Sequence, residues 1–258
     1  MENEGFTYNH SIFRSPDFNF KAHAHNAYEL IFFINGDAIY NVEDRKYVLQ
    51  KHDLIITHPM QSHFVQLNSN ADYERFDILI FPNSVIAGYL AALPQNTEVV
   101  SCNDNKLITD CFKRMSLYEN MFKKNEFNIL MNSLLTELCF NLQVVNKNVF
   151  LMPQFISPII KESLSYINAN LFTVKDISEI SDYLFVAKNY FFRLFKEQMK
   201  ITPKKYITNK RLLHAQNLIS NGEKPTEIYN LCGFSNYVSF YKAYLDFFGS
   251  PPSGKTKK

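Results

Sequence analysis

Asp176-Ile-Ser-Glu-Ile-Ser-Asp-Tyr-Leu-Phe-Val-Ala-Lys-Asn-Tyr-Phe-Phe-Arg-Leu-Phe-Lys196 reads as two helices with a turn between them. Asp176-x-x-Glu179 is a capping box, in which the aspartate accepts an orphan N–H of the first turn and the glutamate reaches back to the cap. Ile177, Ile180 and Leu184 follow at helical spacing, and the helix is expected to stop near Phe185. A second helix begins at Ala187, with Tyr190/Phe191 and Leu194/Phe195 on one face and polar or basic residues on the other. Two short helices joined in this way make a helix-turn-helix. The pattern returns about 48 residues on. Pro225–Cys232 is the short helix, Gly233-Phe234 the turn, and Ser235–Leu245 the second helix. Between the two units, Ile207–Ser220 is long enough to hold them apart.

The charge follows the same division. Residues 158–258 hold 15 Lys/Arg against 8 Asp/Glu, whereas residues 1–157 hold 12 against 17. An acidic half joined to a basic half implies that only the second meets a polyanion. The chain of 258 residues is long enough for two domains, and 46% hydrophobic with 20% charged residues excludes a disordered chain. No basic stretch followed by an apolar run opens the sequence, and no segment approaches 18 uninterrupted apolar residues. The expectation is a cytoplasmic protein without a membrane partner. Cys102, Cys111, Cys139 and Cys232 form no CxxC pair and read as reduced, buried thiols.

The first half changes period. Tyr28–Ile34, Asp37–Val42, Tyr47–Gln50, Leu54–Thr57, His63–Leu67 and Tyr73–Phe81 read as short, evenly spaced strands of a barrel or sandwich. Asn35-Gly36 between the first two suits a type I′ hairpin. Residues 104–119 and 125–145 read as amphipathic helices, with Leu107, Ile108, Cys111, Met115 and Leu117/Tyr118 on one stripe. Ile129/Leu130, Leu134, Leu138 and Leu142 form the other. The pair is compatible with padding the barrel and with forming a dimer face. Ser157-Pro158 opens the next helix. The expected organisation is an α+β chain with a sensing and dimerisation domain at 1–148, a linker at 149–157 and an all-α domain at 158–258.

Residues 159–252 resemble the AraC/XylS-type DNA-binding domain. The matching landmarks are Tyr166-Ile167, Asn189–Lys196, Thr202-Pro203-x-x-Tyr206 and Arg211-Leu-x-x-Ala215-x-x-Leu218. They continue with Gly233-Phe234-Ser235-Asn236, Phe240-x-Lys242 and Phe248-Gly249-Ser250-Pro251. The resemblance implies two recognition helices in successive major grooves, roughly 34 Å apart. Lys188, Asn189, Phe192, Arg193 and Lys196 would face DNA from the first. Asn236, Tyr237, Val238, Tyr241 and Lys242 would do so from the second. Arg193 has the planar fork that holds guanine O6 and N7, or clamps a phosphate. Five positions depart from the family pattern: Ala187 replaces a serine cap, Tyr229 a small residue, Leu245-Asp246 a basic pair, and Gly254 stands where Tyr-Arg usually closes.

His23-x-His25-x3-Glu29-x6-Gly36 and Pro59-x3-His63 resemble the two cupin motifs, over about residues 18–82. Three imidazoles and a carboxylate can hold Zn, Fe, Mn or Ni. Regulators of the resembled type use the barrel to recognise an effector without metal, so no cofactor is expected. His23, His25, Glu29, His63, Tyr28 and Tyr40 are the candidate effector residues. Phe20, Phe32, Phe64 and Phe76 are further candidates for an apolar lining, and residues 1–20 for an arm over the barrel mouth. The resulting expectation is a transcription regulator that binds promoter DNA as a homodimer, answers to a small effector, and meets RNA polymerase if it activates. The alternative is a cupin metalloenzyme, a dioxygenase or isomerase, with a helical appendage.

Overall fold

The computed structural model describes residues 5–16, 20–93, 98–144, 151 and 153–253. Gly254, the basic tail Lys255–Lys258 and part of the expected linker lie outside these residues. The chain divides into two compact units, one of Met1–Phe20, Asn26–Val42 and Lys46–Gln154, the other of Lys21–His25, Glu43–Arg45 and Phe155–Lys258.

The strands are β1 (Phe6–Phe13), β2 (Tyr28–Asn35), β3 (Ala38–Val42), β4 (Arg45–Val48), β5 (Asp53–Thr57), β6 (His63–Leu67), β7 (Tyr73–Ile80), β8 (Val99–Ser101) and β9 (Gln154–Phe155). One sheet has the order β1-β7-β2-β5-β8 and the other β6-β3-β4-β9. The expected hairpin at Asn35-Gly36 does not form. β2 pairs with β5 and β7, while β3 pairs with β6, so the chain turns a corner from one sheet to the other. A type I′ turn needs positive φ at both central residues. Gly36 has φ 139°, and Asn35 is not among the described residues with positive φ. A Cβ on Gly36 would lie 3.0 Å from the Tyr73 ring, which explains the glycine there.

Residues 6–13 are a strand and not an arm. β1 runs antiparallel to β7 from Phe6↔Ile80 to Phe13↔Tyr73. Its alternation is hidden in the sequence because the packed positions include Tyr8 and His10, whose rings stack on Phe76 at 6.1 and 4.3 Å. A histidine that packs through its ring does not read as apolar.

Successive residues of a strand point to opposite faces, and β2 shows the consequence. Leu30 and Phe32 join one core with helices α1 (Val85–Ala91), α2 (Lys106–Met121) and α3 (Lys124–Val144). Ile31 and Phe33 join a second core with Tyr40, Val42, Tyr47, Ile55 and Tyr73. The helical hairpin packs through Ile108, Cys111, Phe112, Met115, Leu134, Leu135, Leu138 and Leu142. Leu107, Leu117 and Ile129, expected on the buried stripes, are 61%, 55% and 69% exposed. The other expected positions Ile108, Cys111, Met115, Leu134, Leu138 and Leu142 are buried, and Phe112, Met131, Leu135 and Cys139 widen the buried face on the side away from the exposed three.

The second unit holds α4 (Pro158–Ala169), α5 (Ile177–Tyr183), α6 (Lys188–Met199), α7 (Pro203–Ser220), α8 (Pro225–Ile228) and α9 (Tyr237–Phe248). Pro158 and Pro203 sit in first turns, where their missing N–H costs nothing. Phe191, Phe195 and Met199 of α6 pack with Ile160, Leu164, Ile167 and Tyr206 in one core. Phe240 and Tyr244 of α9 pack with Leu212, Ala215, Ile228 and Cys232 in another. Fully buried phenylalanines such as Phe191 and Phe195 each lose about 3–5 kcal/mol on truncation to alanine. α8 is shorter than expected: the helix stops at Ile228, and consecutive turns carry the chain to Cys232, whose N–H reaches the Ile228 carbonyl.

Candidate nucleic-acid interface and barrel site

The first motif forms as its caps dictate. Asp176 and Glu179 make both halves of the capping box on α5. Phe185, in the turn, takes φ 54°, and α6 begins after Ala187, which supplies no side-chain cap. Lys188, Asn189, Phe192, Arg193 and Lys196 are exposed along one face of α6, opposite buried Phe191, Phe195 and Met199. Lys188 Nζ lies 2.7 Å from Asp176 Oδ1, and that pair holds the Asp176 carboxyl well below the usual carboxylate range.

α9 is built differently. Asn236 is its N-cap, with Oδ1 accepting the Ser239 N–H at 2.8 Å, so this side chain is engaged in starting the helix. Val238 and Lys242 are exposed, while Tyr237 and Tyr241 are half-buried. Tyr237 packs edge-on against Tyr229 at 5.9 Å, which accounts for the large residue at a position where the family pattern has a small one. Leu245 and Asp246 are exposed in the last turn of α9.

Arg211 is the residue whose role the sequence did not disclose. Its guanidinium donates to the carbonyls of Leu171 at 2.7 Å, Val174 at 2.5 Å and Gly233 at 2.9 Å. It therefore joins the loop before the first motif to the turn of the second. Gly233 has φ 79°, and a Cβ there would lie 2.7 Å from the Phe172 carbonyl and 2.8 Å from Arg211 Nε. Backbone and bracket leave room for glycine alone.

In the first unit, the interior between the sheets holds a buried polar cluster. His63 Nε2 lies 2.8 Å from Glu29 Oε2, and Arg75 pairs with Asp77 at 2.6 Å. The Tyr40 hydroxyl hydrogen-bonds the Thr57 hydroxyl, and the Tyr40 ring stacks on His63. Burial pushes the Asp77 carboxyl up to about 7; Arg75 opposes the rise and Glu29, hydrogen-bonded to Asp77, adds to it. Burial likewise holds the Tyr40 hydroxyl protonated far above its ordinary range. Arg75 and Asp77 were missed by the sequence reading. Their signal was the alternation of β7, in which Tyr73, Arg75 and Asp77 share one face and Phe76, Ile78 and Ile80 the other.

Among the candidate effector residues, Glu29, His63 and Tyr40 belong to this cluster, but Tyr28 does not. As the neighbour of Glu29 on β2 it faces the helix-side core. Phe32 and Phe76 lie on that side too, so the aromatics do not line one pocket. His23 and His25 fall in the segment counted with the second unit, with rings 5.9 Å apart. His23 Nδ1 meets the Lys21 carbonyl at 3.0 Å and His63 Nδ1 the Gln61 carbonyl at 2.9 Å. Among the described residues, His23, His25, Glu29 and His63 have the composition of a metal-binding group. The four cysteines are buried and free.

A β-rich unit with an inward polar cluster and a helical unit with two capped helix-turn-helix motifs define a two-domain helix-turn-helix protein. Residues 10–138 match the AraC-like ligand binding domain and residues 180–258 a helix-turn-helix domain. The chain belongs to the AraC-like family. It is 39% identical over 90 residues to the probable transcriptional regulator LumQ of Photobacterium leiognathi, covering 34% of this chain and 36% of that one. It is 23% identical over 239 residues to the uncharacterised helix-turn-helix-type transcriptional regulator YdiP of Escherichia coli K12, covering 90% of this chain and 79% of that one. The crystal structure of ToxT from Vibrio cholerae aligns over 97% of this chain and 96% of its own, at 15% identity and a TM-score of 0.39. The match to LumQ thus spans about a third of that relative's length. Among the described residues no helix is long and apolar enough to cross a membrane.

Proposed function

We propose that this chain is a sequence-specific transcription regulator that binds promoter DNA through α6 and α9 and responds to a small molecule recognised by its first unit. The observation that carries the reading is the free face of α6. Lys188, Asn189, Arg193 and Lys196 stand exposed on a helix whose opposite side is fully buried, and α9 repeats the arrangement with Val238 and Lys242. Exposed apolar residues on α3, Ile129, Phe140 and Val144, support the hairpin as the homodimer face. An activating role would bring RNA polymerase as a further partner.

A metal-dependent chain is the second reading, and one observation favours it. His23, His25, Glu29 and His63 are residue types that hold metals, and His63 Nδ1 meets the Gln61 carbonyl, a backbone partner of the kind metal-binding histidines have. Zinc or iron held by such residues would supply Lewis acidity, and with turnover the chain would be a cupin enzyme and not a regulator. Metal analysis of the purified protein separates the readings, because stoichiometric metal with catalysis defeats the first. The direct test of the first is Arg193→Ala, which is expected to lower specific DNA affinity by about 1–3 kcal/mol with the fold intact. A footprint unchanged by this substitution would overturn the assignment of α6.

A further inference from the structure

α6 and α9 share one register. Phe191 and Phe195 are buried on the first helix, and Phe240 and Tyr244, at the same spacing, are buried on the second. Aligning these pairs puts Val238 in the place of Asn189, Tyr241 in that of Phe192, Lys242 in that of Arg193 and Leu245 in that of Lys196. The two outer faces are then chemically unlike. α6 presents three cations and an amide, Lys188, Arg193, Lys196 and Asn189, whereas α9 presents Lys242 among Tyr237, Val238, Tyr241 and Leu245.

In a recognition helix the residues of the first turn reach the base edges. Most of that turn in α9 is already committed. Asn236 accepts the Ser239 N–H through Oδ1 at 2.8 Å, and its Nδ2 donates to the Ser235 hydroxyl at 3.4 Å. Tyr237 is half-buried, its ring 5.9 Å from Tyr229 and 5.9 Å from Phe240. The exposed side chains of the turn are Val238, at 61%, and Ser239. A serine hydroxyl both donates and accepts, so it fits most base edges and separates few. Discrimination by this turn therefore falls to Val238.

Val238 has no hydrogen-bonding atom, and a β-branched side chain in a helix keeps essentially one rotamer. Whatever base edge lies beneath it is covered by a fixed apolar surface. Over a purine N7 or the amino group of cytosine, that surface would displace water from a polar atom and return no hydrogen bond. Over thymine it meets the C5 methyl, which thymine alone displays in the major groove.

We infer that Val238 makes α9 a reader of a thymine methyl, whereas α6, with Asn189 in the matching place, selects adenine there. The two halves of the operator are consequently unlike, and the chain binds it in one orientation. This inference rests on the reading of α6 and α9 as major-groove helices and adds the base chemistry of each.

The test begins with selection of binding sites from a random duplex library by the full chain. Repeating the selection with Arg193→Ala relaxes the bases under α6 and so marks the other half as that of α9. The selected duplex is then resynthesised with uracil in place of each thymine of the α9 half in turn. At one position, loss of the methyl should weaken binding about fourfold, the worth of one methyl group returned to water. Replacing that T·A pair by C·G should weaken binding at least as much, and 5-methylcytosine at the same place should recover part of the loss. Val238→Asn, at an exposed position, should erase the uracil penalty. Indifference to uracil throughout the α9 half, no recovery with 5-methylcytosine, or a penalty that survives Val238→Asn would overturn the inference and leave the regulator reading standing. Enrichment of no sequence at all would overturn both.

Discussion

Replacing Arg211 by alanine withdraws three donors at once. The carbonyls of Leu171, Val174 and Gly233 lose their partner, and the loop before α5 loses its tie to the turn before α9. A hydrogen bond from a charged donor contributes about 1.5–3 kcal/mol, and a half-exposed guanidinium belongs at the bottom of that range. Three such bonds come to about 3–5 kcal/mol, a large part of the roughly 5–15 kcal/mol that holds a typical domain together. Arg211→Lys keeps the charge but cannot span three carbonyls with one ammonium, and should recover less than half of the loss. Urea unfolding followed by circular dichroism gives the stability of each variant. DNA affinity adds a second readout, because loosening the bracket should weaken binding to a full operator more than to a half-site carrying only the first motif's contacts. An alanine variant within about 1 kcal/mol of the parent, or a lysine variant equal to it, would show that the three bonds are not what fixes this geometry.

Two further outcomes follow from charge. Burial raises the Asp53 carboxyl from 3.8 to about 6, so the native state holds that proton more tightly than the unfolded chain does. The associated stability is complete below about pH 4 and is lost as pH rises through 6, by up to about 3 kcal/mol. Asp53→Asn should flatten this part of the melting-temperature profile, and a profile with its slope intact would refute the attribution. Leu245→Lys with Asp246→Lys, at the exposed end of α9, should tighten DNA binding and steepen the slope of log K against log[salt] by about one to two. A flat slope, or an altered base preference, would mean that α9 does not meet the backbone there.

The helix-turn-helix half was legible because its signals are local. The Asp176/Glu179 box, the prolines at helix starts and the glycine at position 233 each act within a few residues, so the order of letters carries the structure. Arg211 was visible as a landmark but not as a bracket, since its acceptors lie 40, 37 and 22 residues away in sequence. The barrel half was legible as strands but not as sheets. Asn35-Gly36 reads as a hairpin by composition, and only the pairing of β2 with β5 and β7 shows that it is a corner. Tyr28 and Glu29 were assigned to one site although adjacent strand residues face opposite ways. Inward-facing charges such as Arg75 and Asp77 run against the usual rule that charge lies outside, which is why the polar cluster was only half seen.

The contact between Lys188 and Asp176 changes what it means for this chain to meet a polyanion. A lysine in water surrenders its own hydration when it reaches a phosphate; this one must also let go of a carboxylate that caps the helix before it. If Lys188 meets DNA as proposed, arrival on any duplex is an exchange of one anion for another, and the displaced Asp176 stays beside the newcomer and repels it. The effect on well-matched and ill-matched duplexes is the same in absolute size. For the ill-matched one, which has little besides phosphate to hold on to, it is a far larger fraction of the total. If Lys188 meets a phosphate as proposed, the single acidic residue at the head of α5 weakens binding to both duplexes by the same factor, lowering affinity without altering the preference between them.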